Sequence, residues 1–209
     1  MKFQHSVRDA KKYKEFDKAV ELSVYKCLGF LERNLANDGT YIKTGDFRKK
    51  EEFSKENGFL LDFYKFKDKL KVNTKNIKGA WGGSQKGVPA ISIGRTDRCF
   101  NKEEFNAMLL RLKNHQKPNW ESAIEMARED KWMYVEYQSF YSHPEIGSFI
   151  SDSTQDHIDA LVAHELAHAI DHFNKDCSHH QKPWKQKYAF LRRELGLVTN
   201  NMNWNLKEK

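Results

Sequence analysis

Residues 155–173 read QDHIDALVAHELAHAIDHF, and the fold turns on how this stretch is read. Ile158, Val162, Ala169 and Phe173 recur at helical steps, with Leu166 flanking them, which predicts an amphipathic helix. Ser153 followed by Asp156 gives a start signal close to a capping box, with Asp in place of Glu. Inside the helix lies His164-Glu165-Leu166-Ala167-His168, an HExxH pattern. Two histidines four residues apart sit on one face, about 6 Å apart along the axis, and can bind one Zn²⁺ together. Glu165 then stands beside the ion, placed to take a proton from a water whose pKa zinc lowers to about 7. That water attacks a polarised peptide carbonyl, which makes zinc-dependent peptide hydrolysis the expected chemistry. Small Ala163 and Ala167 allow close packing around the histidines.

A catalytic zinc wants a third protein ligand and an open position. His172 continues the series but stands about 12 Å along the axis from His164, too far for one ion to bridge. Asp171 and Asn174 occupy the positions where the long metzincin signature needs a glycine and a third histidine, so that pattern is excluded. His180 leads the remaining candidates, because the loop after the helix can turn back beneath the metal and Trp184 can anchor the next helix there. His179 and Glu194 stay open as alternatives.

His164 to His168, a loop of about a dozen residues, and then His180-Gln181-Lys182-Pro183-Trp184 opening a helix resemble the SprT-like metalloproteases, which include Spartan. The stretch Trp81-Gly82-Gly83 through Ile91-Ser92-Ile93 is similar to the glycine-containing hairpin that precedes the active helix in that family. The resemblance implies an α+β fold with a minimal zincin-like core, one Zn²⁺ held by His164, His168 and His180, and Glu165 as general base. It also implies endopeptidase action, in the family on DNA-bound or DNA-crosslinked proteins. Gln181 replaces the usual glycine, and the C-terminal zinc ribbon that many relatives carry is not expected within these residues. HELAH with His172 is also similar to the ImmA/IrrE-type peptidases, which cleave repressors. Two non-enzymatic alternatives remain: a DNA- or protein-binding chain stapled by a structural zinc, and a degenerate peptidase that only binds proteins.

The run from Ala90 to Ile93 is β-prone, and Gly82, Gly83 and Gly87 supply turn flexibility, so 79–94 is expected as a hairpin. Ile91, Ser92 and Ile93 are the candidate substrate-binding strand, an edge to which an extended peptide could add. Upstream, Phe16, Val20, Val24, Cys27, Leu31 and Leu35 predict a long amphipathic helix over 7–36, stopped by Asn37-Asp38-Gly39. Residues 40–78 show no clean period; a short helix near 47–56 and a strand or helix near 59–71 fit them. Helices over 102–116 and 120–127 and a strand over 132–141 are expected between hairpin and active helix. Tyr134, Tyr137, Tyr141 and His143 lie where an oxyanion stabiliser could come from. Pro183 suits a first helical turn, and Trp184, Tyr188, Leu191 and Leu195 then define an apolar face closed by Gly196.

The chain of 209 residues is long enough for one sizeable core. The organisation expected is a basic, mainly helical region over 1–78, a catalytic core over 79–199 with an insert at about 95–150, and a tail over 200–209. No apolar run approaches the roughly 20 residues of a membrane span, and the first residues hold no secretory apolar stretch. Cys27, Cys99 and Cys177 are odd in number and form no CxxC, which fits a reducing cytoplasm better than a disulfide framework. The net charge is +7, and residues 1–80 carry 19 Lys/Arg against 12 Asp/Glu, which accounts for all of the excess. The expected partners are a protein or peptide substrate and, through this basic segment, DNA.

Overall fold

The computed structural model describes residues 1–35, 40–43, 46–49, 61–76, 82–84, 88–95, 133–134, 146, 149–150, 154–174 and 180–197. Among them the chain is α+β. Four helices, α1 (Lys14–Leu35), α2 (Phe63–Lys69), α3 (Thr154–Phe173) and α4 (Lys182–Glu194), accompany a four-stranded mixed sheet. The sheet holds β1 (Lys2–His5), β4 (Lys71–Lys75), β5 (Gly82–Ser84) and β6 (Ala90–Gly94). Two short antiparallel pairs stand apart from it: β2 (Thr40–Lys43) with β3 (Asp46–Lys49), and β7 (Met133–Tyr134) with β8 (Phe149–Ile150).

The strand order is β1-β4-β6-β5. β1 and β4 run parallel, as do β4 and β6, while β5 closes one edge antiparallel to β6. Residues 1–78, expected as a helical region ahead of the core, thus supply two of the sheet's four strands. Burial alternates along β4, with Val72 and Thr74 inward and Lys71 and Lys75 outward, so the lysines face solvent while one face is covered. Asp62 caps α2 by accepting from the Lys65 amide at 3.2 Å.

α1 begins at Lys14, seven residues later than the periodicity suggests. Asp9 ahead of it takes a left-handed φ of 57°, which no continuous helix permits. The apolar stripe itself is as expected: Val20, Val24, Cys27, Leu31 and Leu35 are fully buried and Phe16 packs beside them. This stripe lies along α3, whose residues 157–167 are buried throughout, because α1, α4, β5 and β6 cover it from several sides. Each buried Leu, Ile or Val of this seam contributes roughly 1.5–3 kcal/mol, far above any difference in helix propensity.

Two polar networks fix the directions of these layers. Asp159 on α3 accepts from Lys26 at 2.8 Å and from Gln155 at 2.6 Å, and Ser23 also donates to it. Arg95, just past β6, donates to Asp17 through Nε at 2.9 Å and through Nη2, and to the Ser6 and Arg8 carbonyls at 2.6 and 2.8 Å. Thr74 donates to the same Asp17 at 2.7 Å. Each network centres on a buried carboxylate, Asp159 or Asp17, that accepts from more than one donor, so it specifies register at little cost.

The helices expected over 102–116 and 120–127, the Ser153 cap, the stop at 37–39 and the tail lie outside the described residues, as does all of the 132–141 strand except Met133–Tyr134. No helix among the described residues is long and apolar enough to cross a membrane.

Candidate metal centre

The site grows from the contact between α3 and the start of α4. His164 and His168 project from one face of α3, their ring centroids 5.1 Å apart. The chain leaves α3 at Asn174 and returns at His180, immediately before α4, whose first turn contains Pro183 as expected. His180 Nε2 then lies 2.9 Å from His168 Nε2 and 3.2 Å from His164 Nε2. One ligand atom from each of the three rings falls within 4.8 Å of the others, and this is the group of possible metal-ligating residues among those described.

The donor set fits a small divalent ion. Two nitrogens bound to a tetrahedral zinc at roughly 2.0–2.1 Å stand about 3.3 Å apart. Three neutral imidazole nitrogens aimed at one point repel one another unless a proton or cation lies between them, and imidazole suits zinc well. His164 is buried, while His168 and His180 are half-buried, so the centre is closed towards the core and open on one side.

Trp184 holds the three rings. It is fully buried, stacks on His168 at 5.0 Å with the rings inclined by 28°, and meets His164 and His180 edge-on at 4.7 and 4.6 Å. Its indole N–H donates to the His164 carbonyl at 3.3 Å. Tyr188, one turn further along α4, packs on His164 at 5.3 Å, and its hydroxyl accepts from Arg192 at 3.1 Å. Behind them Lys187 pairs with Asp171 at 2.7 Å and donates to the Pro183 carbonyl at 3.1 Å. This buried pair binds α3 just past His168 to α4 just past His180.

Glu165 is 6% exposed and lies under β5. A Cβ on Gly82 would come within 2.6 Å of Glu165 Oε1. Two residues further along β5, Ser84 Oγ lies 3.3 Å from His172 Nδ1, and the His172 ring stacks on His168 at 6.2 Å. His172 is therefore outside the nitrogen cluster but in contact with one of its members.

The structure brings together His164, His168 and His180, while Glu165, next to His164 in α3, is buried against Gly82 of β5. Glu194 ends α4, about 15 Å along the axis from Trp184, and stands outside the cluster. His179 and the side chains of Tyr134, Tyr137, Tyr141 and His143 lie outside the described residues. The expectation for Ile91, Ser92 and Ile93 is corrected. β6 is an interior strand, with Ile91 paired to Val72 on one side and Ser84 on the other, and Ser92 and Ile93 likewise filled on both sides. With both ladders occupied, no added peptide strand can pair there. Gly82 and Gly83 are also not turn residues; they lie in β5, the edge strand over α3.

Sequence reasoning read Gly82 as a turn glycine rather than a neighbour of Glu165, and missed Lys187 and the role of Tyr188 in the site. Tyr188 carried a signal, since it stands four residues after Trp184 on the same helix face. Gly82 and Lys187 carried none, because their contacts cross between elements. Comparison with family models, with curated proteins and with solved structures finds no match to this chain.

Proposed function

We propose that this chain is a zinc-dependent endopeptidase of SprT-like type, with a zincin-like core, in which His164, His168 and His180 hold the ion and Glu165 is the general base. The observation that carries this reading is the convergence of three Nε2 atoms, two of them from the helix that also carries the buried Glu165. A bound zinc supplies Lewis acidity, polarising a carbonyl and lowering the pKa of a water to about 7. Glu165 accepts the proton of the attacking water and returns it to the leaving amine. Trp184 and Tyr188 exclude solvent from the inner side of the histidines and keep their rings oriented. The half-exposure of His168 and His180 leaves a side from which substrate reaches the centre. A structural zinc would favour a closed site, so this openness supports a catalytic role over a staple.

Proteins carried on DNA are the proposed substrate class. Lys2 and Lys71 are exposed neighbours across the β1–β4 ladder, and exposed Lys65 and Lys69 lie on α2 just before Lys71. Such a patch would bind phosphates with a steep salt dependence. The test compares casein hydrolysis by zinc-loaded wild type and Glu165→Gln, with and without DNA. Wild-type cleavage that disappears in a Glu165→Gln protein still holding zinc supports the reading. Equal turnover by both would remove Glu165 as base, and none by either would leave a structural metal site. Cleavage indifferent to DNA, with no DNA binding, would remove the DNA-linked substrate class alone.

A further inference from the structure

We propose that Gly82 is a positioning residue for Glu165: the bare backbone of β5 forms the wall that sets where the carboxylate stands. The proposal rests on the peptidase reading of the site and adds a determinant outside the HExxH helix.

Glycine is a poor strand residue, since it loses most backbone entropy and offers no side chain to pack. The backbone at Gly82 does not demand it either. Its φ is not in the left-handed region, where among the described glycines only Gly196 lies, at 74°. What requires glycine is the approach of Glu165. A Cβ at position 82 would lie 2.6 Å from Oε1, 2.8 Å from Cγ and 2.9 Å from Cδ. The adjacent Gly83 makes the contrast, for a Cβ there meets nothing within 4 Å. Two glycines next to each other on one short strand thus differ in what they do, and only one faces the carboxylate.

The clash falls on Cγ, Cδ and Oε1 of one flexible side chain and on no backbone atom among the three nearest, so the Glu165 side chain is what gives way. Ordinary contact begins near 3.4 Å, so Oε1 must move by about 0.8 Å and Cγ and Cδ by about 0.5–0.6 Å. A misplacement of about 1 Å at a reacting group costs roughly 100-fold in rate. The three atoms nearest an added Cβ all belong to Glu165 and none to a histidine, so the first displacement falls on the carboxylate arm.

The test uses full-length, zinc-loaded wild type, Gly82→Ala and Gly83→Ala. Metal content, thermal midpoint, kcat and KM on an unstructured fluorogenic peptide are measured for each. A glutamate-13C-labelled, metal-free sample also reports the Glu165 carboxyl resonance, assigned by its loss in Glu165→Gln. Gly82→Ala is expected to hold as much zinc as wild type, shift the Glu165 resonance and lose kcat by about 100-fold with KM little changed. Gly83→Ala is expected to match wild type. Unchanged kcat in Gly82→Ala, or an equal loss in Gly83→Ala, overturns the proposal while leaving the peptidase reading intact. A zinc-loaded wild type without turnover overturns that reading and this one with it. Should Gly82→Ala fail to fold, adding Glu165→Asp shortens the opposing side chain and is expected to restore folding; a double variant that stays unfolded overturns the contact.

Discussion

Lys187→Met tests whether α3 and α4 are clamped by charge. Asp171 and Lys187 are 1% and 2% exposed, and Nζ stands 2.7 Å from Oδ1. At an effective dielectric of about 20 their attraction is roughly 6 kcal/mol, and the desolvation of two ions consumes most of it. The intact pair is therefore near neutral for stability, but removing the lysine takes the ion partner from a buried carboxylate, which costs about 3–5 kcal/mol. The lost bond to the Pro183 carbonyl adds about 1 kcal/mol. For a chain of this length each kcal/mol moves the thermal midpoint by about 2–4 °C, so a fall of roughly 10 °C or more is expected. The assay is urea and thermal unfolding followed by circular dichroism, in chelator, because a bound metal would add its own linkage. The Asp171→Leu/Lys187→Met double variant removes both charges and should recover most of the loss. A single-variant cost below about 1 kcal/mol, or a double variant no better than the single, would refute the reasoning.

Trp184→Phe keeps an aromatic ring against the three histidines but removes the donor to the His164 carbonyl; a loss of about 1–2 kcal/mol with the fold retained is expected in the same unfolding assay. Arg95→Lys should cost about 3 kcal/mol, because one ammonium cannot replace the fork that serves Asp17, Ser6 and Arg8 together. Burial, with Asp159 nearby and only partly offset by Lys26, pushes the Cys27 thiol well above its ordinary range near 9. The unfolded chain then releases a proton that the folded chain keeps. Stability is unaffected below the ordinary thiol pKa and falls above it by about 1.4 kcal/mol per pH unit. Unfolding between pH 8 and 10.5 should show this slope in wild type and a shallower one in Cys27→Ala. In the native protein the Cys27 peptide should also resist alkylation, as mass mapping would reveal.

The helical parts of this fold were legible because their signals are local. The period of Ile158, Val162, Ala169 and Phe173 marked α3, and the steps from Val20 to Leu35 marked the body of α1. His180 could be chosen over its rivals because Trp184 stood one turn beyond it. β1 was not legible: four residues with one alternation carry little signal, and a parallel edge strand is fixed by a partner nearly 70 positions away. β4 was hidden for the same reason among alternating lysines and aromatics. The interior position of β6 followed from that miss, since without β4 it reads as an edge. Glycines 82 and 83 suggested a turn by propensity, and the ladder to Ser92 and Ile93 together with the approach of Glu165 overrides that preference. Asp171 and Lys187 are separately unremarkable polar residues, and only the packing of α3 on α4 makes them a pair.

Metal content decides whether the three histidines form a metal centre at all. Wild type, His180→Ala and His168→Ala, each expressed in zinc-supplemented medium, would be measured by mass spectrometry alongside a circular dichroism check of folding. One zinc per wild-type chain, with clear loss in both folded variants, is the result expected from three convergent Nε2 atoms. A wild-type chain without metal, or a full complement of zinc in His180→Ala, would contradict it.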